Sequence, residues 1–161
     1  MQTRHSARIL IINPDNRILL FRTETAPMDP MQAIPGYWYV PGGGVEADES
    51  FEEAARRELW EECGIQNVTI GPCVWIREQV LHFQGMGEAL AHERFFPVNA
   101  RDIEPNFENM IDFEATVLAG HRWWSYDELR STPDVIFPEA LADLLPPLLA
   151  GDYPQEPLRI R

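Results

Sequence analysis

Three consecutive glycines, Gly42, Gly43 and Gly44, follow Pro41, and a strong helix signal begins shortly beyond them; no other stretch of the chain restricts the fold as tightly. Glycine reaches backbone conformations closed to other residues, so a short strand at Trp38-Tyr39-Val40 is expected to run into a sharp, tight loop here. Ser50 with Glu53 three residues on is a capping box, helix formers continue to Glu62, and Gly64 stands where a C-terminal cap belongs. The spacing predicts a helix from Phe51 to Cys63.

That helix carries its carboxylates in an unusual place. At about 100° per residue, Phe51, Ala54, Ala55 and Leu59 form one apolar stripe, and Glu58, Glu61 and Glu62 fall on or beside the same sector in the later turns. An ordinary amphipathic helix has aliphatic groups there. Carboxylates spaced i, i+3 and i+4 repel one another, and a hard divalent cation relieves that repulsion. Magnesium suits such a set because it takes oxygen ligands from carboxylates, waters and substrate phosphates. A solvated acidic face paired with Arg56 and Arg57 is the alternative for a helix of this charge.

From Gly43 the chain reads glycine, five residues, Glu49, seven residues, Arg57-Glu58-Leu59, Trp60, Glu61-Glu62, Cys63, Gly64-Ile65. This resembles the Nudix box, G-x5-E-x7-R-E-U-x-E-E-x-G-U with U aliphatic, at every defined position. Average residue frequencies put a chance match on the order of one in 10⁸. The flanks are similar too, from the strand entering Gly44 to the Trp123-Trp124-Ser125 run. The resemblance implies an α/β (α+β) fold: an α/β/α sandwich with a mixed, mainly antiparallel central sheet.

It also implies a function: magnesium-dependent cleavage of the phosphoanhydride bond of a nucleoside diphosphate linked to another moiety, with manganese as the substitute ion. Glu58, Glu61 and Glu62 would be the catalytic carboxylates and metal ligands, joined by a backbone carbonyl at Gly42 or Gly43. Glu49 and Arg57 resemble the family's supporting ion pair. Relatives often use a further carboxylate outside the box as ligand or general base; the candidates are Glu93, Glu108, Asp112 and Glu114, with Glu114 ranked first. Trp38, Arg94 and Trp123 are candidates for substrate contact, although strand-end aromatics are commonly core and a solvated strand face explains Arg94 equally well. The substrate-reading segments are expected in the loop Thr23 to Gly36 and in Asn99 to Asp112.

Two alternatives belong to other classes. A Nudix-fold sensor would bind a nucleotide without turning it over, and a degenerate box would mark it; here every carboxylate is present. An isomerase of a diphosphate substrate would need further catalytic Cys and Glu residues, and Cys63 inside the helix suits that poorly.

The rest of the chain agrees with one domain over residues 1–161. Ala7 to Asn13 and Arg17 to Arg22 around Pro14-Asp15-Asn16 predict a β-hairpin. Further strands are expected between Val68 and Phe83, Ala91 and Val98, and Thr116 and Trp124. Ser125 and Glu128 form a second capping box, and a last helix from about Pro138 should break or kink near Pro146-Pro147.

A net charge of −13 disfavours long nucleic acid and leaves a small nucleotide as the expected ligand once cations mask the local acidity. No apolar run is long enough to span a bilayer and nothing directs export. Cys63 and Cys73 form no C-x-x-C pair, so the chain is expected in the reducing cytoplasm. A homodimer is common for folds of this size, but no interface patch is legible.

Overall fold

The computed structural model describes residues 1–23, 36–83, 85–100, 104–108 and 118–161. Most of the loop between Thr23 and Gly36, and Asp112 and Glu114 with it, therefore lie outside the described residues. One mixed sheet organises the rest: β1 (Gln2–Ile12), β2 (Ile18–Thr23), β3 (Tyr37–Tyr39), β4 (Gly42–Gly44), β5 (Trp75–Phe83), β6 (Gly87–Asn99), β7 (Leu118–Trp124), β8 (Ile136–Phe137) and β9 (Leu158–Ile160). The helices are α1 (Phe51–Cys63), α2 (Tyr126–Ser131) and α3 (Leu141–Leu149).

β1 pairs in parallel with β6 along its whole length, while its other edge meets β4 at Ser6–Arg8 and β2 only at Ile12. β2 turns away to pair with β3 and β7. The expected hairpin is therefore a corner: its turn forms at Asn13–Arg17, but the strands separate at once because other partners occupy their edges. Most pairings are antiparallel; β1–β6, β3–β8 and β5–β9 are parallel.

Strand alternation sends side chains to opposite faces and builds two cores. Ala7, Ile9, Ile11, Leu19 and Phe21 pack with Ala54, Ala55 and Leu59 of α1. Leu10, Ile12, Ile18 and Leu20 pack with Trp75, Trp124 and the leucines of α2 and α3. Helices on both faces of the sheet make the expected α/β/α arrangement. Each fully buried Leu, Ile or Phe contributes roughly 1.5–3 kcal/mol, which holds the sheet between its layers.

Helix α1 runs from Phe51 to Cys63 as its sequence predicts. Ser50 accepts a hydrogen bond from Glu53 N at 3.0 Å, and Gly64 closes the helix at φ 66°. Two expectations change. The glycines after Pro41 form strand β4 against β1 instead of an unpaired loop. Helix α3 continues through Pro146 and Pro147 to Leu149. Both prolines are exposed while Leu141, Leu145 and Leu148 anchor the opposite side, so the proline rings lie on the water-facing side of the helix.

Candidate active site

Strand β4 carries the glycine backbone up to the inner side of α1, and the contact is too close for any other residue. A Cβ added to Gly43 would lie 2.6 Å from Glu58 Cδ, and one added to Gly42 would strike the backbone of Ala7 and Arg8. Glu62 Oε2 accepts the Gly42 N–H at 3.0 Å. Glu58 and Glu62 are buried although both are acidic, as their overlap with the apolar stripe predicts, and Glu61 is half-buried.

Arg57 organises these acids. Its Nε and Nη2 donate to the two oxygens of Glu49 at 2.8 and 2.9 Å, its Nη1 reaches Glu58 Oε1 at 2.9 Å and Glu61 Oε2 at 3.1 Å, and Nη2 also donates to Gly44 O at 2.8 Å. The paired hydrogen bonds have the fork geometry only arginine supplies. The hydrogen bond from Arg57 holds Glu49 below the usual carboxylate range, and the bond to Glu49 in turn raises Arg57. The expected Glu49–Arg57 pair thus ties the loop before the helix, strand β4 and the helical acids into one unit.

Whether these residues suit a divalent cation can be tested on the donor set. Glu58 and Glu62 press on a glycine backbone whose carbonyls have no Cβ in front of them at Gly43, so hard oxygen donors are concentrated at one place. Their hydrogen bonds include those from Arg57 and the Gly42 N–H, and among the described residues no three His, Cys, Asp or Glu side chains already converge as a metal cluster. The chemistry of the set fits magnesium or manganese.

The outside carboxylates separate clearly. Glu93 is buried between two arginines, with Arg8 Nε at 2.9 Å and Arg77 Nε at 2.6 Å. Burial pushes its carboxyl up, but the charges of Arg8 and Arg77 outweigh that and hold it below the usual range. Glu108 is exposed. Arg8 also extends Nη1 toward Val40 O and Gly42 O at 3.4 and 3.5 Å. The sequence offered Glu93 only as one of several carboxylates outside the box and gave no sign of its arginine partners, which lie on other strands. Alternation along β6 was the available signal, since it turns Glu93 to the face opposite His92 and Arg94.

The three candidate contact residues do not converge. Arg94 lies 4.3 Å over the Phe51 ring on the α1 side. Trp123 packs into the α1-side core. Trp38 packs on the other side, 5.2 Å from Trp124, and donates to Asp134 Oδ2 at 3.1 Å. Cys63 is buried, and burial raises its thiol pKa. No helix among the described residues is long and apolar enough to cross a membrane.

Comparison with known proteins agrees with the geometry. The family described as NUDIX domain matches residues 2–145. An RNA pyrophosphohydrolase of Caulobacter vibrioides is 29% identical over 170 residues, covering 95% of this chain and 91% of that protein. Nucleoside triphosphatase NudI of Escherichia coli is 53% identical over 38 residues, 24% of this chain and 27% of that one. Among solved structures, that of the E. coli ORF135 protein superposes with a TM-score of 0.60 at 26% identity, over 93% of this chain and 91% of its own.

Proposed function

The chain belongs to the NUDIX domain family as a pyrophosphohydrolase, and we propose that it cleaves the phosphoanhydride bond of a nucleoside diphosphate linked to another moiety, with magnesium as its ion. The observation that carries this reading is the burial of Glu58 and Glu62 against the Gly42–Gly43 backbone. Burying two acids side by side carries a desolvation cost that Arg57 and the Gly42 N–H offset, and a bound cation would offset it further.

Glu58, Glu61, Glu62 and a backbone carbonyl at Gly42 or Gly43 would hold the ion. When bound, it supplies charge neutralisation at phosphate oxygens and a lowered pKa for an attacking water. The chain's own residues do the remainder. Arg57 holds Glu58 and Glu61 in place, Glu49 fixes Arg57, and the Gly42 N–H orients Glu62. One of the helical carboxylates, or an acid outside the box such as Glu114, takes the proton from water. Positioning and charge stabilisation provide most of the rate in phosphoryl chemistry. The 161 residues act as one domain, in a reducing cytoplasm that keeps Cys63 and Cys73 as thiols.

The test is release of phosphate or nucleotide from nucleoside triphosphates, ADP-ribose, nucleotide sugars and dinucleoside polyphosphates, with magnesium and with chelator. Chelator-sensitive cleavage of a panel member is expected. Tight binding of one compound with no cleavage of any would replace the hydrolase with a sensor.

A further inference from the structure

The cluster missed in the sequence has features that a purely structural ion pair does not need. Glu93 engages Arg8 and Arg77 through their Nε atoms, one carboxylate oxygen each. That mode of contact leaves the outer edges of both guanidiniums unused. Arg8 Nη1 makes two long contacts to carbonyls, and among the described residues neither Arg8 Nη2 nor the Nη groups of Arg77 make a hydrogen bond. Arg8 keeps 24% of its side chain exposed and Arg77 keeps 11%, whereas Glu93 between them keeps 6%. Glu93 is the most deeply buried of the three, and Arg8 is the member that reaches furthest toward solvent.

The cluster is also next to the proposed site of cleavage. Arg8 is paired with Gly42 across β1 and β4, its guanidinium points toward Gly42 O, and it lies within electrostatic reach of Glu62. The Gly42 peptide thus has Glu62 at its N–H and Arg8 near its carbonyl. In a chain of net charge −13, two guanidiniums set around one carboxylate form a local positive site. Arginine forks with free Nη edges match phosphate oxygens in geometry and charge.

We propose that Arg8 and Arg77, held by Glu93, form a phosphate-binding fork that grips the diphosphate of the substrate on the side of β4 opposite α1. The inference rests on the hydrolase reading for the identity of the substrate, but the fork's affinity for phosphate oxygens does not require turnover. A diphosphate held by the fork would lie near the Gly42 backbone, beside Glu62, one of the carboxylates that would hold a cation.

The experiment uses the full chain in excess chelator, with inorganic pyrophosphate as the probe and selective observation of arginine side-chain 15N resonances. Arg8→Lys and Arg77→Lys assign the signals. Pyrophosphate should shift the Arg8 and Arg77 guanidinium resonances in the unaltered protein, and Arg77→Lys should weaken pyrophosphate binding roughly tenfold through loss of a charged hydrogen-bond fork. Shifts confined to other arginines, or no shifts at all, overturn the fork whatever the hydrolase assay gives. Shifts at Arg8 and Arg77 in a protein that cleaves no compound leave the fork standing and remove only the catalytic reading. Through-bond correlation of each side-chain Nε to its own backbone resonances gives the same assignments in the unaltered protein, so a variant that fails to fold leaves the readout intact.

Discussion

Two arginine–carboxylate clusters stand on opposite sides of strand β4, and their charge ratios are reversed. On the α1 side one guanidinium, Arg57, lies within 4 Å of four carboxylates, those of Glu46, Glu49, Glu58 and Glu61. On the other side two guanidiniums, Arg8 and Arg77, share the carboxylate of Glu93. The same ion-pair chemistry therefore builds a place short of positive charge and a place short of negative charge, separated by the Gly42 peptide. A surplus of acid attracts a cation and a surplus of guanidinium attracts an anion, which are the two things the proposed metal-dependent hydrolase would have to gather.

The comparison can be broken most severely at the acids. Glu61→Gln with Glu62→Gln should lower turnover by about 10³-fold or more while leaving circular dichroism unchanged. Full activity in that double variant would remove the catalytic role from the α1 side. Glu93→Gln comes next, because it leaves two half-buried guanidiniums without their carboxylate; urea unfolding should show a loss of about 3 kcal/mol at neutral pH.

That loss has a defined pH dependence. The folded pKa of Glu93 is depressed, so its stabilisation is in place above the ordinary carboxylate range and disappears as pH falls through the depressed value. Unfolding curves of the parent and Glu93→Gln should converge in acid, and a constant gap would mean that the charge of Glu93 is not what stabilises the cluster. Gly43→Ala is a smaller perturbation. Its Cβ has to displace the Glu58 carboxyl, costing about 2 kcal/mol in thermal unfolding and lowering activity. Ser50→Ala removes only the helix cap and should cost about 1 kcal/mol with kcat nearly unchanged, which separates general weakening of α1 from damage to its acids.

The sequence by itself determined the α1-side cluster because its information is local. Ser50, Gly64 and the 3.6-residue period place the helix to the residue, and the spacing of Glu49, Arg57, Glu58, Glu61 and Glu62 puts their side chains on neighbouring turns. The two-layer covering of the sheet came only as an implication of the family resemblance that the same local segment carries. Only the tertiary structure decided the rest. Whether Ala7–Asn13 and Arg17–Arg22 would remain a hairpin depended on β4, β6 and β7 competing for their edges. Helix α3 keeps its prolines because packing of Leu141, Leu145 and Leu148 sets which side meets water. Arg8, Arg77 and Glu93 come from three strands far apart in the chain, and strand register brings them together. Long-range pairing carries no local periodicity, so a charge on a strand reads as solvated until its neighbours across the sheet are known.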